Sequence, residues 1–459
     1  MHIGIAFRDI TPNVPMRMMG YGDRDHASEG VHDPLLVYVL FVKPSGAESF
    51  CWISADLCVF GPDSAKALKN EIAKKTGLTE HALILQGTHT HSGPDTYALH
   101  ADESVEGKQY FQLLVKQISE AINEAQKSQK KATIMVRQGV GTIGVNRRGL
   151  DKPVDDRLFL LTLLDQNKQP FGTVMYYSCH LTALGVDNYL ISSDWIGPVR
   201  QWFEKEHGMP FMYTQGAEGN VDPWTRGVLD MSDPDQAKGV SFKKLEEISK
   251  KMVGDVATTF AGDSTMFLEN LTMKRAQIDV PLRYGGLSKE QFDEKLLVWK
   301  QSFASFLGLT IEEVPEDQRI NEWIKKHSVA AKISAEETGK YVAEQFAYTQ
   351  FLWAYRNNEA YIDRAAGTVK MPIALIDGGK IAFVAAPVEP LMDVNFAIKK
   401  KVAGKPILVC GLADGYFGYL PHGDNYLEED SAMLYETVST VFAPEAADII
   451  ISKALDVLQ

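Results

Sequence analysis

The chain has 459 residues and a net charge of −13, with apolar, charged and aromatic fractions that exclude a disordered or fibrous protein. That acidity, with basic runs only at 127–131 and 399–401, excludes a nucleic-acid surface and argues against docking on anionic lipid. The longest apolar run, 35–42, is eight residues, against roughly 20 needed to cross a bilayer, so no transmembrane segment is expected.

In chain order, strands are predicted at 37–42 and 50–54, where β-branched and aromatic residues concentrate. A helix is predicted over 63–76, with Ala65, Leu68, Ile72 and Ala73 on one face and Gly77 as its terminator. A short apolar strand, 82–86, runs into Gly87-Thr88-His89. A helix over 107–126 follows, then strands near 134–138, 158–164 and 174–178. A helix over 195–206 leads to a strand at 211–214 and a Gly-rich turn. This alternation predicts an α/β fold, a large mixed β-sheet body surrounded by helices. Strand signals vanish between 285 and 360. There Ser288-Lys289-Glu290-Gln291 reads as a capping box opening a helix over 288–304, and a second helical pattern covers 335–357. Residues 285–360 are therefore predicted to be a helical insertion in a body formed by 1–284 and 361–459. Strands resume at 371–376 and 380–385, around the hairpin signal Asp377-Gly378-Gly379.

The four cysteines, Cys51, Cys58, Cys179 and Cys410, form no C-x-x-C pair and read as buried free thiols. The N-terminus lacks a basic region followed by an apolar core. The expected location is the cytoplasm, or outside the cell if a signal peptide has been removed.

Five segments at strand ends carry groups able to do chemistry. In His89-Thr90-His91 an extended backbone would turn both imidazoles to one face, a spacing suited to zinc. The competing reading is a pair of surface histidines. His180 follows another apolar strand, and alone would pass for a hydrogen-bonded core residue. The turn 215–223 offers Glu218, Asn220 and Asp222, or is a plain structural turn. Glu389 stands between Pro387 and Pro390, and the segment 412–421 holds two tyrosines. Glu218 and Asp56 are available to a second ion. Gly139-Val140-Gly141-Thr142-Ile143-Gly144 matches a dinucleotide pattern, but Val145-Asn146-Arg147-Arg148 after it does not open a helix, so nicotinamide binding is rejected.

In this order the segments resemble the catalytic domain of the neutral (non-lysosomal) ceramidases. The similarity runs through Ile3-Gly4-Ile5-Ala6, Asp9-Ile10-Thr11, Met19-Gly20-Tyr21 and Ser54-Ala55-Asp56-Leu57. It is strongest at Thr88-His89-Thr90-His91-Ser92-Gly93-Pro94, and continues at Asn146-Arg147, His180, 215–223, Glu389 and 412–419. The resemblance implies one Zn2+ held by His89, His180, Glu389 and Tyr419. It implies His91, Arg147 and Tyr435 as active-site groups around it. Asp222 stands where that family's Gly-Asp-Val-Ser-Pro turn has its serine, so a covalent serine mechanism is not expected. The chain reads as a short form without the C-terminal β-sandwich domain of those enzymes.

The function so implied is hydrolysis of an N-acyl amide, ceramide-like or smaller, by metal-activated water. An ester or small non-lipid amide is the alternative substrate, and a catalytically degenerate ligand-binding homologue the alternative role. No nucleic-acid partner is expected, and oligomeric state is left open.

Overall fold

The computed structural model describes residues 1–228, 238–283, 289–313, 358–402, 404–428 and 434–458. Its first sheet has nine strands. Those used below are β1 (His2–Asp9), β2 (Leu36–Lys43), β3 (Phe50–Ala55), β4 (Leu83–Gly87), β5 (Lys130–Val140), β6 (Arg157–Asp165), β7 (Pro170–Tyr177) and β8 (Phe211–Gln215). They lie in the order β8-β7-β6-β5-β1-β2-β3-β4. Most pairs are antiparallel, but β3–β4 and β7–β8 are parallel. A second sheet holds β9 (Thr272–Pro281), β10 (Thr368–Asp377), β11 (Ala382–Ala385) and β12 (Ile407–Cys410), with β11–β12 parallel.

Period-two burial explains why two sheets form and how they stack. Along β2, Val37, Val39 and Phe41 face helices α1 (Pro62–Thr76) and α2 (Val105–Ser128). Tyr38, Leu40 and Val42 face the other way, into one cluster with Phe383, Ala385, Leu408 and Cys410 of the second sheet. The outer face of that second sheet, Val384 and Val409 among others, packs on the helices Met392–Lys401 and Ala446–Leu458. Helices α3 (Ile196–His207) and α4 (Phe242–Ala261) cover the β6–β8 end of the first sheet. The result is a four-layer stack, helices outside and two sheets inside.

The helix ends follow local chemistry. α1 has Pro62 at its start and stops at Gly77 in the left-handed conformation, φ 71°. Ser104 and Ser241 cap α2 and α4 by accepting from the amides of Gly107 and Lys244. β10 and β11 pair antiparallel across 378–381, as the Asp-Gly-Gly signal predicts.

The α/β reading holds, with the strands divided between two principal sheets. The sequence reading passed over α4, β9 and the last helix, Ala446–Leu458. The helix Lys289–Leu307 lies within the segment read as helical, whereas Ser288 and the pattern at 335–357 fall outside the described residues. Gly139–Gly144 lies on and just after β5, with no helix following. All four cysteines are buried and free. Among the described residues no helix is long and apolar enough to cross a membrane.

Candidate metal centre

Both sheets send the carboxyl ends of their parallel pairs to one rim, the usual place for chemistry in α/β proteins. Gln86, at the end of β4, ties them together. Its amide donates to the carbonyls of Gln215 (2.9 Å) and Gly411 (2.8 Å). Its oxygen accepts from Trp52 Nε1 (3.0 Å) and Thr214 Oγ1 (2.7 Å). A buried glutamine satisfied on every side fixes the ends of β4, β8 and β12 relative to one another.

His89 follows β4, and its φ of 76° puts it in the left-handed region. The sequence argument for His89 and His91 assumed an extended backbone, and this corrects it. The two rings still meet, Nε2 to Nε2 at 3.3 Å, because the turn at His89 brings them together edge to face. Such a φ in a non-glycine residue costs roughly 1–2 kcal/mol. Lys168, Asp194, Leu412 and Asp414 share that conformation. Gly20 is required opposite His91: its φ is 105°, and a Cβ there would lie 2.4 Å from the imidazole Cγ.

Three donor atoms converge. His180 Nε2 lies 3.2 Å from Glu389 Oε2, and His89 Nε2 lies 3.4 Å from the same oxygen. For ligands about 2.0 Å from a zinc ion, the edge of a coordination tetrahedron is about 3.3 Å, so the spacing fits. The far nitrogens also fit: His89 Nδ1 reaches the Cys58 carbonyl, and His180 Nδ1 the Val221 carbonyl, each at 3.1 Å. Those contacts turn each Nδ1 to a carbonyl, so the Nε2 atoms are the ones aimed at the shared Glu389 oxygen. All three side chains are at most 2% exposed.

A second group, Cys58, His89 and His91, is also close enough to share an ion. Cys58 Sγ sits 3.5 Å from His89 Nδ1, the nitrogen already turned to a backbone carbonyl. Burial also pushes the Cys58 thiol up. The set His89, His180 and Glu389 is therefore the better candidate.

Electrostatics follow from burial and neighbours. Burial opposes charge on Glu389, yet His89 and His180 outweigh it and hold the carboxyl well below the usual range. Burial likewise opposes charge on His89, but Cys58 and Glu389 lift its pKa well above normal. Burial, reinforced by His89 and His180, pushes His91 well below its ordinary value, so it is neutral.

Tyr419 pairs with Glu389 in a short parallel ladder, which sets the two side by side. Arg147 Nη2 donates to its hydroxyl at 3.3 Å. Arg147 is otherwise consumed by Glu436 (2.6 Å), the Gly219 carbonyl (2.7 Å) and Asp222 (3.5 Å), and lies over the ring of Tyr435. Tyr435 stands edge-on to Tyr419, with ring centroids 5.4 Å apart. Asp222 Oδ1 accepts from Thr182 Oγ1 (3.0 Å) and lies 3.6 Å from His180 Nδ1. Burial works against its charge, but Arg147 and His180 keep it ionised.

Sequence reasoning missed Tyr416, whose hydroxyl donates to Glu389 Oε1 at 2.7 Å. It missed Gln86 and Glu436 as well. Tyr416 was in reach, since it shares a segment with Tyr419; Gln86 and Glu436 carry no local signal. Asp56, offered to a second ion, is instead engaged by Arg200 at 2.6 and 2.9 Å.

Residues 1–270 match the family model described as neutral/alkaline non-lysosomal ceramidase, N-terminal. Neutral ceramidase B of Dictyostelium discoideum is 24% identical over 520 aligned residues, covering 96% of this chain and 70% of that protein. Neutral ceramidase A of the same organism is 23% identical, with the same coverage. The solved neutral ceramidase from Pseudomonas aeruginosa superposes with a TM-score of 0.69 at 19% identity, over 99% of this chain and 73% of that one.

Proposed function

The chain belongs to the neutral/alkaline non-lysosomal ceramidase family, and from that premise we propose a zinc-dependent hydrolase of N-acyl amides, with ceramide-like lipids the first substrate class to test. The observation that carries this reading is the convergence of His89 Nε2, His180 Nε2 and Glu389 Oε2 within 3.2–3.4 Å. Those three residues would hold the ion, with Tyr419, paired to Glu389 in the ladder, as the fourth ligand. A zinc ion so held supplies a Lewis acid and brings the pKa of a bound water to about 7.

The other side chains divide the remaining work. His91, with Nε2 turned to His89, would accept a proton at that atom from the attacking water and pass it to the leaving amine nitrogen. Arg147 has its donors committed and acts by positioning Tyr419 and Asp222. Asp222 lies 3.6 Å from His180 Nδ1 and helps to orient that ring. Tyr435, edge-on to Tyr419 and under Arg147, is the group we assign to the developing oxyanion. Residues 1–284 and 361–459 form the catalytic body in this reading, and 285–360 a helical insertion.

The test is hydrolysis of a graded N-acyl amide series by metal-stripped and zinc-restored protein. Activity should be absent when stripped, return with about one equivalent of zinc, and favour acyl chains on an amide over matched esters. Equal turnover by the stripped protein would contradict the metal-dependent reading. Ester hydrolysis alone would contradict the amide assignment.

A further inference from the structure

Glu218 has no assigned role, and its surroundings are unusual. It lies in the turn after β8, has zero exposure, and neither carboxyl oxygen has a hydrogen-bond partner among the described residues. The turn is not loosely held. Gly216 and Ala217 donate to the Tyr177 carbonyl (3.0 Å) and Ser178 Oγ (3.1 Å). Gly219 donates to the Pro390 carbonyl at 3.0 Å, and its own carbonyl accepts from Arg147 at 2.7 Å. The carboxyl rests against Gly411, where a Cβ would stand 3.1 Å from Oε1 and as close as 2.9 Å to Val388 and Pro390.

The other carboxylates nearby are engaged. Glu389 meets His89, His180 and Tyr416. Asp222 meets Thr182 and Arg147, and Asp194 accepts from three backbone amides. A buried carboxyl with no donor is strongly unfavourable. The turn that carries it is well braced, yet among the described residues no hydrogen bond meets that carboxyl. Val388 and Pro390, which share the contact at Gly411 with the Glu218 carboxyl, flank Glu389, a member of the ligand set. Glu218 joins neither group of residues close enough to share an ion, so it acts from the next shell out.

We propose that Glu218 belongs to the cation centre as an outer positioning residue, tightening its hold on the divalent ion. This rests on the metal-centre reading above. Carboxylates one shell from a metal typically change its affinity 10- to 100-fold. The same group is a burden when the ion is absent, because nothing then satisfies its oxygens. The two states must therefore respond to substitution in opposite directions.

The experiment compares wild type, Glu218→Gln and Glu218→Asp. Each is stripped of metal, titrated with Zn2+ against a chelating dye, and melted with and without zinc. Glu218→Gln should bind zinc about 10- to 100-fold more weakly. It should melt no lower than wild type when stripped, and lower when zinc is present. Glu218→Asp, which keeps a carboxyl, should recover part of the affinity. Unchanged zinc affinity in Glu218→Gln, or equal melting losses with and without zinc, would overturn the proposal while leaving the metal centre standing. A wild type that takes up no zinc would overturn both.

Discussion

Asp56 and Glu218 are both fully buried acids that follow strands of the same sheet, and they differ in every partner. Asp56 receives both terminal nitrogens of Arg200 and the amide of Leu36 (2.8 Å), so it locks the end of β3 to α3. Glu218 has no such contact. Sequence context cannot separate the two, since each is a carboxylate just past an apolar strand. What separates them is whether the fold brings a cation of its own. A buried carboxylate paired by the chain is architecture, and one left unpaired at a rim of ligands is part of a site.

This contrast can be broken by substitution. The largest effect is expected from Glu389→Ala, which removes the oxygen shared by both histidines and should abolish zinc uptake, read by elemental analysis of purified protein. Full occupancy in that variant would remove Glu389 from the ligand set. Next comes Asp56→Ala, which strands Arg200 in the core and should cost about 3–5 kcal/mol in urea unfolding. Zinc stoichiometry of the folded fraction should stay at wild-type level; a loss of zinc there would make Asp56 part of the site after all.

Asp414 tests the same idea at intermediate size. Burial opposes its charge, but Arg275 (2.5 Å) and Lys69 (2.9 Å) hold its pKa at about 2, against an ordinary 3.8. Burial lowers Lys69 in spite of this pairing, so Arg275 is the main partner. A depressed carboxylate stabilises the fold above its unfolded pKa and loses that contribution as pH falls through the folded value. Asp414→Asn should therefore cost about 2 kcal/mol at neutral pH, the difference from wild type closing as pH falls from about 4 to 2. A pH-independent difference would mean that charge is not what Asp414 supplies. The smallest effect is expected from Thr182→Val, which removes one hydrogen bond to Asp222 and should cost about 1 kcal/mol, with zinc still bound.

The alternating strands, α1 with its Gly77 stop and the Asp-Gly-Gly hairpin were legible because each is a local pattern. The division into two sheets was not, since Tyr38 and Phe383 meet only in three dimensions. His89, His180, Glu389 and Tyr419 were named from motif order, and the fold gathers them at one rim. The reason given for the His89–His91 pairing was incomplete, because a left-handed residue leaves no mark in a sequence unless it is glycine. Arg147 shows the opposite limit. Its presence at the site was readable, but its commitment to Glu436 depends on a residue 289 positions away.

The most direct test of the metal centre is anomalous diffraction at the zinc edge from zinc-loaded crystals. The account predicts one peak about 2.0–2.2 Å from His89 Nε2, His180 Nε2 and a Glu389 oxygen. A peak among Cys58, His89 and His91, or no peak at full zinc supply, would contradict it.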